Sequence, residues 1–158
     1  MGTGGSVAFG GGPERLPIIW HPREGTVLPI RGHLGDVNAV AISHDGSMVA
    51  TGGADRSVRL FDAKTGAPIA MVREHLDQVT CLAFTPDDMA IGSGSYDHTV
   101  RVWAAPALTS LMVLDGHRGF LQTLECTGDG AWFLSCDDEL ALRLWPRDSA
   151  AAVGEMHV

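Results

Sequence analysis

Positive charge is the first thing in short supply. Lysine and arginine together number 11 against 19 aspartates and glutamates, Lys64 is the one lysine, and the formal net charge is −8. A surface of that sign repels phosphate backbones, so direct nucleic-acid binding is not expected. Cysteine is scarce too: Cys81, Cys126 and Cys136 make an odd count without metal-ligand spacing. They read as reduced, mostly buried small hydrophobes, which places the chain in a reducing compartment, cytoplasmic or nuclear. Long apolar runs are missing. No stretch approaches the roughly 18 residues of a membrane span, and the N-terminus lacks a basic-then-apolar leader. Helical periodicity of useful length is also lacking, which excludes helical architectures and leaves an all-β chain.

What the sequence does contain is a repeat. Ser93-Gly-Ser-Tyr-Asp97-His-Thr-Val-Arg-Val-Trp103 reads as a strand, a tight turn at Asp97 and a second strand closed by tryptophan. Stepping 42 residues back or forward reaches Asp55 and Glu139 in similar surroundings. The same step links His33, His75 and His117, and again Phe61, Trp103 and Trp145. A period this long and regular marks a repeat architecture, in which each unit buries its faces mainly against its neighbours. Strands start at Val37, Val79 and Leu121, and lead to the turn pairs Asp45-Gly46, Asp87-Asp88 and Asp129-Gly130. Such pairs tolerate the positive φ that hairpin turns need. Each unit is therefore expected to be a four-stranded antiparallel meander. Ahead of them, Leu16–Trp20 resembles the end of a unit, and residues 6–31 read as a partial copy lacking its first strand. Pro17 weakens that strand because proline removes a ladder donor. Residues 1–13 read as a glycine-rich, flexible tail.

A 42-residue unit of four strands, with Gly32-His33, Glu74-His75 and Gly116-His117 near its start and Phe61-Asp62, Trp103-Ala104 and Trp145-Pro146 near its end, resembles the WD-repeat β-propeller family. The resemblance covers residues 14–158, with repeats at about 33–62, 75–104 and 117–146 and the degraded unit before them. It implies three full blades plus a partial one. Propellers close with four to eight blades, so the ring is expected to be incomplete, its missing blades supplied by the full-length chain or another subunit.

His75, Ser93 and Asp97 invite a hydrolase reading. The set recurs as His33, Thr51, Asp55 and as His117, Ser135, Glu139, and an active site has no reason to be built three times. No Gly-x-Ser-x-Gly elbow accompanies any copy. The resemblance instead implies a structural tetrad in each blade: His33, Thr51, Asp55 and Phe61; His75, Ser93, Asp97 and Trp103; His117, Ser135, Glu139 and Trp145. No catalytic residue, metal or cofactor is expected. In the family, the loops bearing the histidine and the aspartate turn open on one face of the ring. On this chain that rim would hold Arg56, Tyr96, His98, Arg118, Phe120 and Asp138 as partner-binding residues, with Tyr96 and Phe120 clamping an extended peptide. The expected function is a non-catalytic protein–protein interaction scaffold within a multiprotein assembly. The alternative is a substrate-recognition or regulatory subunit of an enzyme complex, such as a ubiquitin ligase adaptor.

Overall fold

The computed structural model describes residues 7–9, 16–151 and 154–157. Among the described residues, fifteen strands form four antiparallel sheets. The first holds β1 (Val7–Phe9), β2 (Ile18–His21) and β3 (Thr26–Pro29). The second holds β4 (Val37–Ile42), β5 (Met48–Gly53), β6 (Val58–Asp62) and β7 (Pro68–Val72). The third holds β8 (Val79–Phe84), β9 (Ala90–Ser95), β10 (Thr99–Ala104) and β11 (Thr109–Asp115). The fourth holds β12 (Leu121–Cys126), β13 (Trp132–Asp137), β14 (Ala141–Pro146) and β15 (Gly154–His157). Each sheet is a meander in sequence order. Among the described residues no helix is long and apolar enough to cross a membrane.

Turn chemistry explains the meanders. Gly46, Asp88 and Gly130 all take positive φ, as the turn pairs require. Arg56, His98 and Leu140, also 42 residues apart, sit at φ of 67°, 69° and 63° and close three identical hairpins: the amide of each bonds the carbonyl three residues before it. The partial unit is a three-stranded sheet. The register Val7↔Trp20 repeats that of Val49↔Phe61, so β1 corresponds to β5, and among the described residues the innermost strand is the one without a counterpart. Pro17 falls just before β2; its carbonyl accepts a bond from the Ile30 amide at 2.8 Å, while its missing N–H leaves that pair with a single bond. Val7–Phe9 lie within the stretch read as tail and are part of this sheet, while residues 1–6 and 10–13 of that stretch lie outside the described residues.

The sheets stack in chain order, with β4 against β8 and β8 against β12. Three apolar clusters fill the three junctions. Ile19, Ile30, Val49 and Phe61 join the first and second sheets. Ala50, Val58, Leu60, Ile91 and Trp103 join the second and third. Val100, Val102, Leu114, Leu124, Phe133 and Trp145 join the third and fourth. Full burial of each large side chain stabilises by roughly 1.5–3 kcal/mol. The core is therefore divided among junctions, as in repeat proteins, and the array is an open arc.

Candidate functional site

Each full sheet holds one buried hydrogen-bonded chain. In the third, the Trp103 indole N–H, which can only donate, bonds Ser93 Oγ at 2.8 Å. The Ser93 hydroxyl is thereby directed to His75 Nε2 at 2.8 Å, and His75 Nδ1–H donates to Asp97 Oδ2 at 2.8 Å. Asp97 also accepts the Leu76 amide, the Thr99 amide and the Thr99 hydroxyl. Burial works to raise the Asp97 carboxyl, but the bonds from His75, Thr99 and Leu76 outweigh it and hold it well below the usual carboxylate range. In the second sheet Thr51 and Asp55 bracket His33 at 2.7 and 2.9 Å. Phe61 takes the aromatic place without a donor, and burial pushes the His33 ring below its usual value. Hydrogen bonds join His75, Ser93, Asp97 and Trp103 in the third sheet and His33, Thr51 and Asp55 in the second, whereas Phe61 packs in the junction with the first sheet.

The fourth sheet departs from expectation. His117 Nε2 meets Ser135 Oγ at 2.6 Å and Trp145 Nε1–H donates to the same oxygen at 2.8 Å, but His117 Nδ1–H donates to Asp137, at 2.8 Å, not to Glu139. Glu139 occupies the backbone position of Asp55 and Asp97 and is exposed. Asp137, fully buried at the end of β13, also accepts the Ala141 amide, just as Asp55 and Asp97 accept those of Ser57 and Thr99. Asp137 thus performs both tasks from two residues upstream. Gly119 leaves the space for it: an added Cβ there would lie 3.0 Å from Asp137 Cγ. Desolvation raises the Asp137 carboxyl, yet the bonds from His117, Ala141 and Gly119 leave it below its ordinary value.

Sequence reasoning missed a further set on the same step, Arg59, Arg101 and Arg143. Arg101 lies over the Trp103 ring at 5.9 Å and pairs with Glu74 at 2.9 Å, and Arg143 lies over Trp145 at 6.0 Å. Gly32 and Gly116, both at positive φ, leave room for the guanidinium groups: added Cβ atoms would sit 2.8 Å from Arg59 and 3.0 Å from Arg143. The recurrence of arginine four residues after Asp55, Asp97 and Glu139 was the available signal.

Above the third and fourth sheets, two loops meet. The Tyr96 and Phe120 rings stack with centroids 4.6 Å apart, and the His98 ring stacks on Phe120 at 5.2 Å. His98 Nδ1–H donates to the Gly119 carbonyl at 2.9 Å. Asp138 fixes Phe120 twice, its side chain accepting the Phe120 amide at 2.7 Å and its own amide bonding the Phe120 carbonyl at 3.0 Å. Tyr96 and Phe120 therefore leave no gap for a peptide between them. They form one joined platform rather than a clamp, with Phe120 41% exposed. Arg118 is exposed one residue beyond His117, and Arg56 is exposed at the turn of the second sheet.

A family model described as "WD domain, G-beta repeat" matches residues 25–62, 66–104 and 108–146. Over 65 residues the chain is 37% identical to a Dictyostelium discoideum protein described as "Periodic tryptophan protein 2 homolog", an overlap of 40% of this chain and 7% of that protein. The chain thus spans a small fraction of that relative's length. With three consecutive repeat matches over well over half its length and a four-stranded meander beneath each, the chain belongs to the WD-repeat family.

Proposed function

We propose that this chain is a non-catalytic interaction scaffold that presents its loop rim to other proteins within an assembly. The observation that carries this reading is the Tyr96–Phe120–His98 platform: three rings from loops of two sheets, stacked and anchored by hydrogen bonds, with Phe120 open to solvent. Rigid aromatic surface loses little entropy on binding and is typical of interface hot spots. Asp138 adjoins it, and the exposed Arg56 and Arg118 lie on turns and loops of the same repeat positions, charges suited to an extended amphipathic segment. The triad-like chains support the non-catalytic half of the reading. Ser93 and Ser135 are fully buried, and each hydroxyl oxygen already accepts an indole N–H, so a substrate carbonyl has no approach. An intracellular setting fits the three free thiols, of which Cys81 is pushed up to about 11 by burial. The test is capture of binding proteins by the wild type and by Tyr96→Ala/Phe120→Ala. Truncating a true anchor costs roughly 2 kcal/mol or more of binding, while loss of an exposed ring stack costs about 1 kcal/mol of stability. Unchanged affinity for a captured protein would move the contact surface elsewhere.

A further inference from the structure

Positions 46, 88 and 130 recur on the 42-residue step, and all three take positive φ, at 73°, 57° and 71°. Glycine fills the first and the last at no conformational cost. The third sheet has Asp88 instead, in the left-handed region that a side chain occupies less readily. What the side chain does there accounts for its presence. Its carboxylate crosses the junction to the second sheet, where Oδ1 accepts the His44 amide at 2.7 Å and Oδ2 the Asp45 amide at 2.9 Å. The His44 ring stands on the same carboxylate, with Nδ1 3.3 Å from Oδ1. Among the described residues no other acceptor meets either amide.

The preceding acid, Asp87, faces the other way. Its Oδ1 closes its own turn, accepting the Thr85 hydroxyl at 2.7 Å and the Met89 amide at 3.0 Å, as Asp45 and Asp129 do in theirs. Its Oδ2 accepts the guanidinium of Arg147, just after β14 in the fourth sheet, at 2.7 Å. The two junctions are bridged differently because their residues differ. Gly130 stands where Asp88 does, and an added Cβ there would lie 3.4 Å from Pro86, which stands where His44 does. The position thus faces the preceding turn in both sheets. A carboxylate at the Gly130 position would meet no amide at Pro86, since proline has no N–H, and the fourth sheet reaches back with Arg147 instead.

We propose that the Asp87–Asp88 turn is a two-sided clasp that fixes the stacking of the second, third and fourth sheets at the strand ends opposite the loop rim. In β8, Val79 pairs with Ser95 beside the rim and Phe84 pairs with Ile91 beside the turn, so rim and clasp occupy opposite ends of the same strands. The two arms differ in kind. The Asp88 side chain is 13% exposed and bonds backbone, so its arm is sheltered and rigid. The Asp87–Arg147 arm is half-exposed and is screened by salt.

Amide hydrogen exchange on the intact chain tests it. Asp88→Gly installs the residue that the neighbouring turns already use. In that variant the His44 and Asp45 amides are expected to exchange about tenfold faster or more, having lost bonds to a charged acceptor. The Ala90 amide, bonded to Thr85 Oγ1 at 3.0 Å within the third turn itself, is expected to keep its rate. The urea midpoint is expected to fall, whereas glycine would raise it if the turn's own backbone were all that mattered. Asp88→Asn, which keeps one acceptor oxygen, is expected to lie in between. For the other arm, the Arg147 guanidinium holds the Asp87 carboxyl below its usual range. Arg147→Ala is therefore expected to raise the pH at which that carboxyl titrates, followed by carbon-13 NMR. Unchanged exchange at His44 and Asp45, an equal rise at Ala90, a raised midpoint in Asp88→Gly or an unmoved Asp87 titration would each overturn the clasp.

Discussion

Asp137→Ala is expected to leave His117 Nδ1 and the Ala141 amide without their acceptor in a dry site, at about 1–3 kcal/mol of stability. Glu139→Gln, at the exposed position two residues on, is expected to stay within about 0.5 kcal/mol. Urea midpoints of the two variants make the comparison, and equal losses would refute the assignment of Asp137. The same carboxylates set the acid response. Asp55, Asp97 and Asp137 are held below their ordinary value, so their contribution is complete above the unfolded value near 4 and is lost as pH falls through the folded values. His33 is depressed too, so the unfolded chain takes up its proton first as pH drops below 6.5, and this also disfavours the folded state. Stability is therefore expected to be flat above neutrality, to slip below pH 6.5 and to fall steeply below pH 4. Midpoints measured against pH in wild type and Asp137→Asn follow this directly, with a shallower acid limb in the variant.

At the scale of the strand and its turn, two positions separate local conformation from packing. Leu140 holds φ of 63° while 56% exposed, in the left-handed region that a side chain occupies at a cost of roughly 1–2 kcal/mol. Leu140→Gly is expected to raise stability by about 0.5–1 kcal/mol, the conformational relief less the entropy glycine adds to the unfolded chain; a lower thermal midpoint would contradict this. Gly92 shows the opposite dependence. Gly92→Ala places a methyl within 3 Å of Leu124 and Phe133 in the junction of the third and fourth sheets. The overpacking is expected to cost about 1–3 kcal/mol, read as a drop in urea midpoint.

For the molecule as a whole, stability divides into junctions rather than one central core, and two junction faces are left open at the ends of the arc. The loop rim is a surface separate from these junctions, and the Tyr96→Ala/Phe120→Ala variant is expected to lose no more than about 1 kcal/mol of stability, read as a small drop in urea midpoint.

The 42-residue step was enough to read the three full meanders, the turn at Asp97 and the buried His–Ser–Asp–Trp chain of the third sheet. These are legible because each depends on residues within one unit, whose spacing along the strands is copied by the backbone. Counting failed at Glu139. There the hairpin is preserved by backbone conformation, while the carboxylate comes from Asp137 at the strand end, and spacing alone does not report which of two nearby acids points inward. Tyr96 and Phe120 were recognisable as rim residues, but their stacking into one platform was decided by the tertiary structure, since they lie 24 residues apart and meet only where adjacent sheets bring two loops together. The same holds for Trp20, Leu134, Leu142, Leu144 and Met156. Sequence marks them as apolar, as it does Trp103 and Val100, and only the stacking order of the described sheets leaves Trp20, Leu134 and Met156 exposed and Leu142 and Leu144 half-buried.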